Sequence, residues 1–235
     1  RIKDKFPPER EPPGGRPRKC NQEMLNAILY WLNTGIPWRD LPERFGPWQS
    51  VYSRFRAWTK AGVWENILTA LIEQDLVDEC WTALRSRFTN MPVGQKGGYH
   101  EEAGQRRRGL TTKVHAVTDG LGNPLRFLLS SGNRNDICVA QALLEPFDLN
   151  GKQAILADKG YDSDKFVRWL EERGGIVVIP SRITTKHPRK TDCHTYKERH
   201  LVENLFLKLK NNRRFATRYE KKALYFHAVV CLACI

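Results

Sequence analysis

The spacing of apolar residues changes near residue 109, and this change most constrains what the chain can fold into. From residue 21 to residue 74 apolar side chains recur every three to four positions, which is the period of an α-helix. From residue 113 they alternate with polar ones, which predicts strands at residues 113–117 and 125–129 joined by a turn at 120–123. The chain is therefore predicted to consist of a helical part followed by a part that contains a sheet.

Beyond the hairpin, helical and extended segments alternate. Helices are predicted at residues 137–145 and 164–173, a buried strand at residues 154–157 and a further strand at residues 176–179. A hairpin followed by alternating helices and strands predicts an α/β domain with a mixed sheet, which we place at residues 111–235. The preceding residues 76–110 are predicted to form an irregular connection.

Residues 21–75 are predicted to form three helices with short links, as in a helix-turn-helix-like DNA-binding domain. Asn21 is the candidate N-cap of the first helix and Gly35 its stop. A small helical bundle whose aromatic residues, such as Trp58 and Trp64, only form the core is the alternative. The polar face of the second helix supplies the candidate DNA contacts Gln49, Arg54 and Arg56.

Positive charge is in clear excess. The chain has 39 Lys and Arg against 26 Asp and Glu, a formal net charge of +13, which favours a polyanionic partner, usually nucleic acid. A solubilising surface excess is the alternative. The proline-rich residues 1–20 are predicted to form a flexible basic arm, either a minor-groove hook or a plain linker. The arm and a second basic run supply the candidate DNA contacts Arg16, Arg18, Lys19, Arg106, Arg107 and Arg108.

The six cysteines are spread along the chain, and no secretory leader or membrane-spanning apolar run is visible. This pattern predicts reduced thiols in the cytoplasm. Cys231 and Cys234 have the spacing of a zinc-binding pair, but they lie in an apolar run without a second pair, so we interpret them as core thiols. Because the chain begins at Arg1 and stops at Ile235 inside a predicted helix, we expect it to be a fragment or a degraded open reading frame.

A long helix predicted at residues 196–211 would carry Tyr196, Arg199, Glu203 and Lys210 on one face, within a sector of about 60°. One face would then present a carboxylate between two cations, and an ionised carboxylate is what Mg²⁺ requires. An exposed helix with ordinary ion pairs between neighbouring turns is the alternative.

The spacing Tyr-x2-Arg-x3-Glu-x6-Lys matches the signature of bacterial DDE insertion-sequence transposases, whose catalytic domain is RNase H-like. Four other segments resemble further motifs of this family in the right order, and they are residues 38–42, 48–52, 109–115 and 156–162. The resemblance implies a DNA transposase that acts by metal-dependent phosphoryl transfer at the ends of its element. It also implies double-stranded DNA with terminal repeats as the partner, at least a dimer on DNA, and a bacterial, nucleoid-associated location.

The resemblance further implies two Mg²⁺ ions, about 4 Å apart, held by three carboxylates. Asp158 and Glu203 match two of these metal ligands. By the same matching, Lys210 and Arg199 would contact the DNA backbone and Tyr196 would support the site.

The third metal ligand is missing from the sequence. The family has an Asp in a strand before the glycine-rich segment, and here that position falls on Arg85, or on Trp81 in an alignment without gaps. Asp75 and Asp78 are nearby but match no motif. Residues 82–96 depart from the family pattern while both flanks fit it, so we interpret residues 76–110 as carrying a degraded first catalytic strand. The hypothesis is an inactive copy or a reading-frame error, with a non-catalytic DNA-binding regulator or an RNase H-type nuclease as alternatives.

Other titratable residues have weaker claims to a function. His115 and His200 are interpreted as core or surface histidines, and Asp119 as a turn residue. Asp162 is expected either to support the metal site or to help Ser163 cap the following helix.

Overall fold

The computed structural model describes residues 3–8, 19–75, 82–90, 104–106, 109–149, 154–183, 185 and 188–235. The chain divides into two compact units, each described on its own. The helical unit contains Arg1–Gln74 and Leu209–Ile235, and the sheet unit contains Asp75–Lys208. The C-terminal segment thus groups with the N-terminal helices, whereas the sequence placed it with the α/β domain. No helix among the described residues is long and apolar enough to cross a membrane.

The helical unit follows the predicted helical period. Its helices are α1 (Asn21–Thr34), α2 (Trp48–Lys60), α3 (Val63–Asp75), α8 (Arg213–Ala216) and α9 (Ala223–Cys234), with 3-10 turns at Trp38–Asp40 and Glu43–Phe45.

The first helix begins one residue earlier than its predicted cap suggests. Cys20, not Asn21, is the N-cap of α1, and its Sγ accepts a hydrogen bond from the Glu23 N–H at 3.4 Å. The side chain of Asn21 instead accepts from Arg54 at 2.7 Å and donates to the Pro7 carbonyl at 3.0 Å. Gly35 ends α1 as predicted, because its left-handed φ of 72° closes a hydrogen bond onto the Trp31 carbonyl.

Aromatic side chains form the core of the helical unit. Trp58 and Trp64 are 2% and 1% exposed and meet edge to face at 5.4 Å, which confirms their predicted core role. Phe6 packs on Trp58 with ring centroids 4.6 Å apart. The prediction of a flexible arm is therefore wrong for residues 3–8, because a buried aromatic anchors them. Residues 9–18 of that arm lie outside the described residues.

The sheet unit contains a six-stranded mixed sheet. Its strands are β1 (Thr82–Asn90), β2 (Gly104–Arg106), β3 (Gly109–Thr118), β4 (Pro124–Ser131), β5 (Ala154–Ala157) and β6 (Ile176–Val178). Two of them, β1 and β2, lie in the stretch that was predicted to be irregular.

The strand order β4–β3–β1–β5–β6 is that of RNase H-like domains, with the short β2 sharing the β4 edge of β3. Strand β3 pairs antiparallel with both β4 and β1. Strand β5 pairs parallel with β1, and β6 pairs parallel with β5. The expected mixed-sheet, RNase H-like fold is confirmed. Its consequence for the site is that β1 and β5 are neighbours at the centre of the sheet.

The helices α4 (Ile137–Leu144) and α5 (Asp164–Glu172) contact the sheet. Their apolar faces join the strands in one core, to which Val117, Leu143, Ile155, Phe166 and Leu170 contribute.

The long helix predicted at residues 196–211 is wrong, because the structure has two helices there. Helix α6 covers Cys193–Lys197 and helix α7 covers His200–Leu209. Between them Glu198 and Arg199 form a turn whose N–H groups bond three residues back, to Thr195 and Tyr196, instead of four.

Candidate active site

Asp158 lies directly after β5, a strand whose four residues are all buried. Its carboxylate accepts a hydrogen bond from the Gly160 N–H at 2.8 Å and caps the 3-10 turn Lys159–Tyr161. The residue is half-buried. A partly exposed carboxylate at the end of a central strand has the right chemistry to contribute one ligand to a divalent cation.

The register of β1 identifies the residue next to Asp158. Ala83 is paired with Leu156 and Leu84 with Ala157 in the parallel ladder. The next residues along the two strands are therefore Arg85 and Asp158. This register favours Arg85, and not Trp81, as the residue at the expected first-ligand position; Trp81 itself lies outside the described residues. A guanidinium stays protonated and offers no lone pair to a metal.

Glu203 lies on the first turns of α7 and is half-buried. Its Oε1 forms an ion pair with Arg199 Nη2 at 2.7 Å. The Arg199 guanidinium in turn lies over the Tyr196 ring, 5.5 Å from its centroid. Three of the four residues predicted to share a face are thus in contact, even though the helix is broken between them.

Lys210, the fourth of these residues, is exposed in the turn that follows α7. It belongs to the segment that groups with the helical unit, whereas Glu203 belongs to the sheet unit. Its predicted role in aligning DNA stays a prediction.

Among the described contacts Asp162 does not help Ser163 to cap α5, and its expected support of the metal site stays a prediction. It is 6% exposed and accepts hydrogen bonds from the Arg182 N–H at 2.7 Å, from Thr185 Oγ1 at 3.2 Å and from Arg189. Ser163 caps α5 without a side-chain hydrogen bond. Burial opposes ionisation of Asp162, but the hydrogen bonds from Arg182, Arg189 and Thr185 outweigh it and lower its pKa.

This ionised Asp162 ties the segment that leads into α6 to the turn that carries Asp158. Arg182 completes the tie by donating from Nε to the Lys159 carbonyl at 3.1 Å and from Nη2 to the Gly160 carbonyl at 2.9 Å. The sequence offered no signal for Arg182, because its partners are backbone carbonyls that any residue could provide.

The predicted DNA contacts of α2 differ in their surroundings. Gln49 and Arg56 are exposed, and Arg56 donates to Tyr225 Oη at 3.2 Å. Arg54 is half-buried, pairs with Asn21 and lies over the Trp58 ring at 5.5 Å, so it also has a structural role.

The contacts predicted in the basic segments are less fully described. Lys19 is half-buried beside Gly46. Arg106 belongs to β2, whose side chains are not described. Outside the described residues lie Arg16, Arg18, Arg107 and Arg108.

The remaining titratable residues singled out in the sequence have structural or surface positions. His115 is a core histidine as predicted, 1% exposed, with its Nε2 2.7 Å from Ser130 Oγ. His200 is exposed and bonds the Lys197 carbonyl through Nδ1. Cys231 is buried as predicted, and burial raises its pKa to about 12. Asp119 is a turn residue as predicted, accepting from the Leu121 and Asn123 N–H groups at 2.9 and 2.8 Å.

The carboxylates present do not fit a complete two-metal centre. Within the described part of the chain, no three His, Cys, Asp or Glu side chains form a group that could hold a metal ion. Asp78 lies outside that part, and Asp75 ends α3 without a described side chain. Among the described residues, Asp158 and Glu203 are the two acidic side chains that match expected ligands, and Arg85 is the next residue after the part of β1 that pairs with β5.

Comparison with known families decides the identity. The family described as "Transposase DDE domain" matches residues 85–235, and "Putative transposase of IS4/5 family (DUF4096)" matches residues 1–68. The chain belongs to the DDE transposase family. It is a transposase of an insertion sequence, and enzymes of this family generally use divalent metal ions.

Two relatives of this transposase are themselves described as insertion-sequence proteins. The "Putative transposase for insertion sequence element IS6501" of Brucella ovis is 39% identical over 129 residues, which are 53% of this chain and 95% of the relative. The "Putative transposase for insertion sequence element IS402" of Burkholderia cepacia is 32% identical over 132 residues, 52% of this chain and 60% of the relative.

Among solved structures, the transposase is similar to the "Mos1 transposase paired-end complex with left transposon end". The identity is 12%, the TM-score is 0.30, and the match covers 87% of this chain and 82% of that chain. Since such a score is too low to support a fold, the fold assignment depends on the strand order and the family match.

Proposed function

We propose that this transposase binds the terminal repeats of its insertion sequence as double-stranded DNA, at least as a dimer, and that in its present form it does not cut them. The observation that carries the proposal is the register of β1, which puts Arg85 beside Asp158. An arginine there contributes no ligand, and its charge opposes the binding of a cation next to it.

The remaining parts of the site support descent from a cutting enzyme. Asp158 and Glu203 would be ligands of a pair of Mg²⁺ ions if a third carboxylate were present. Arg199 is held by both Glu203 and Tyr196, so its guanidinium would contact the DNA backbone beside a metal ligand. Binding of DNA by the helical unit is supported by the exposed Gln49 and Arg56 and by the net charge of +13.

Restoring a carboxylate at position 85 tests the proposal. The substrate is a supercoiled plasmid that carries the insertion sequence with its flanking DNA, and the readout is nicking at the element ends with Mg²⁺. We expect Arg85→Asp to raise nicking by at least about two orders of magnitude, because even a residue that only orients a metal ligand is worth about 10–100-fold. Mn²⁺ binding, followed by electron paramagnetic resonance, should tighten in the same variant.

A matched control is available on the same strand. Arg87→Asp makes the same charge change two residues further along β1 and should leave nicking at the background level. Adding Glu203→Gln to Arg85→Asp should abolish the restored activity. Nicking by the unaltered chain that depends on Glu203 would show that it is active and would overturn the proposal.

The second candidate is a regulator derived from a transposase that represses an active copy, and in which the loss of catalysis goes beyond position 85. The arginine at that position also favours this candidate. If Arg85→Asp binds Mn²⁺ no better and stays inactive, while a gel shift shows specific binding of the element ends, the regulator is the better description. Resequencing the locus tests the reading-frame hypothesis, in which the sequence of residues 82–96 comes from the wrong reading frame. A shifted frame that encodes an Asp before the glycine-rich segment would make the natural protein a complete enzyme.

A further inference from the structure

A pocket of about 540 Å³ lies within the helical unit. Its wall is formed by the link between α1 and α2, by the start of α2 and by the segment after α7. We call this site the aromatic pocket, and its lining includes Trp38, Arg39, Trp48, Tyr52, Arg214 and Tyr219.

The rings of the aromatic pocket are held by one another and only partly covered. Trp38 stacks on the buried Trp31 with centroids 4.0 Å apart and planes 16° apart, and it meets Tyr52 at 5.4 Å. Trp48 follows at 6.4 Å from Tyr52. Trp38, Trp48 and Tyr52 are half-buried and Tyr219 is 38% exposed, so aromatic surface is left in contact with the pocket.

Guanidinium groups accompany these rings. Arg39 is exposed at the wall, and Arg214 lies 4.5 Å from the Tyr219 centroid. Arg214 is buried and faces the carboxylate of Glu220 at 3.8 Å, but Glu220 is not among the lining residues. The described lining contains no carboxylate, so the pocket favours a ligand with a flat face and a negative charge.

We propose that the aromatic pocket binds an unstacked nucleotide, with the base against the rings and the phosphate near Arg39. The inference takes from the proposed function only that DNA is the partner. Bases inside an intact duplex are stacked on their neighbours and their faces cannot reach a protein ring, so the ligand is single-stranded or locally opened DNA. The two short motifs at residues 38–42 and 48–52 thereby gain a common role, since each supplies part of the pocket.

The test compares two probes with the full chain by fluorescence anisotropy at one salt concentration. One probe is a labelled oligothymidylate of about 20 nucleotides, and the other has the same phosphates with abasic sugars throughout. The unaltered protein should bind the thymidylate strand about 5- to 100-fold more tightly, the range expected for stacking of one base. Trp48→Ala and Tyr219→Ala should lose this preference while keeping their affinity for the abasic strand, and Trp48→Phe should retain most of it.

Trp169→Ala is the matched control, because Trp169 is a half-buried aromatic on α5 of the sheet unit, stacked on Phe166. It should leave the preference intact. Equal affinity of the unaltered protein for both strands, or a parallel loss for both strands in Trp48→Ala, would overturn the proposal. Binding of duplex element ends is measured separately by gel shift. Duplex binding can therefore be present when the preference for the thymidylate strand is absent, and the preference can be present when duplex binding is absent.

Discussion

Protonation of His115 should make the stability of the sheet unit depend on pH in a predictable direction. Burial is the largest effect on this imidazole and lowers its pKa from 6.5 to about 4; Lys113 and Arg134 lower it further, while Asp136 raises it. Below pH 6.5 the unfolded chain takes up a proton that the folded chain refuses until about pH 4. The stabilisation from neutral His115 is therefore fully present above pH 6.5 and is lost as the pH falls towards 4.

The difference between the unfolded pKa of 6.5 and the folded pKa of about 4 corresponds to about 3 kcal/mol in the free energy of unfolding. About 2 kcal/mol of this is lost by pH 5. A local probe is needed because the chain has two units. We would measure hydrogen exchange of the β3 and β4 amides by mass spectrometry at pH 7.5 and pH 5, corrected for intrinsic rates. Protection in the unaltered protein should fall by about 30-fold, since each 1.4 kcal/mol is tenfold.

His115→Asn removes the titration while keeping a polar group opposite Ser130, so its protection should change much less over the same pH range. Other carboxylates titrate in both proteins and cancel in the comparison. His200→Asn, which changes an exposed histidine of the same unit, should behave like the unaltered protein. If His115→Asn showed the same pH dependence as the unaltered protein, the assignment of the effect to this buried imidazole would be refuted.

Two further substitutions test the interior of each unit separately. Burial raises the pKa of Glu220 to about 7, against an opposing effect of Arg214. The free energy of unfolding of the helical unit should therefore fall by up to about 3 kcal/mol as the pH rises from 4.5 to about 7. Glu220→Gln should flatten this pH dependence, measured by hydrogen exchange of α9. Gly132→Ala should destabilise the sheet unit by about 1–3 kcal/mol, because the new Cβ would lie 1.9 Å from Thr111 Oγ1. If the Tm of Gly132→Ala were within a degree of that of the unaltered protein, the backbone around Gly132 and Thr111 would be able to shift and the expected clash would be refuted.

The parts of the fold that were predicted correctly have local causes. The β3–β4 turn was readable because Asp119 bonds the N–H groups of the residues that follow it, an interaction contained within five residues. Gly35 was readable as a helix stop for a similar reason, since only its own φ is required. The strand before Asp158 was readable because four consecutive apolar residues form it, whereas Asp158 itself was named from the resemblance to the transposase motif.

The parts that were missed depend on distant partners. The residues alone predicted an irregular connection at β1, and only the resemblance placed a degraded strand there. Arg85 and Arg87 interrupt the apolar pattern of β1, and its hydrogen bonds come from β3 and β5, which lie later in the chain. The break at Glu198 and Arg199 has no Gly or Pro to announce it. The grouping of α9 with the N-terminal helices was invisible because an apolar run specifies burial but not the surface that buries it.

Family membership and catalytic competence therefore have different determinants in this chain. The ladder of β1 with β3 and β5 is made by backbone groups, so it holds whichever side chain occupies position 85. Under the proposed function, metal binding depends on that one side chain, because a carboxylate is a ligand and a guanidinium is not. It follows that the fold can persist unchanged while the chemistry is lost, and that one substitution at position 85 should be enough to bring it back if the other ligands are in place.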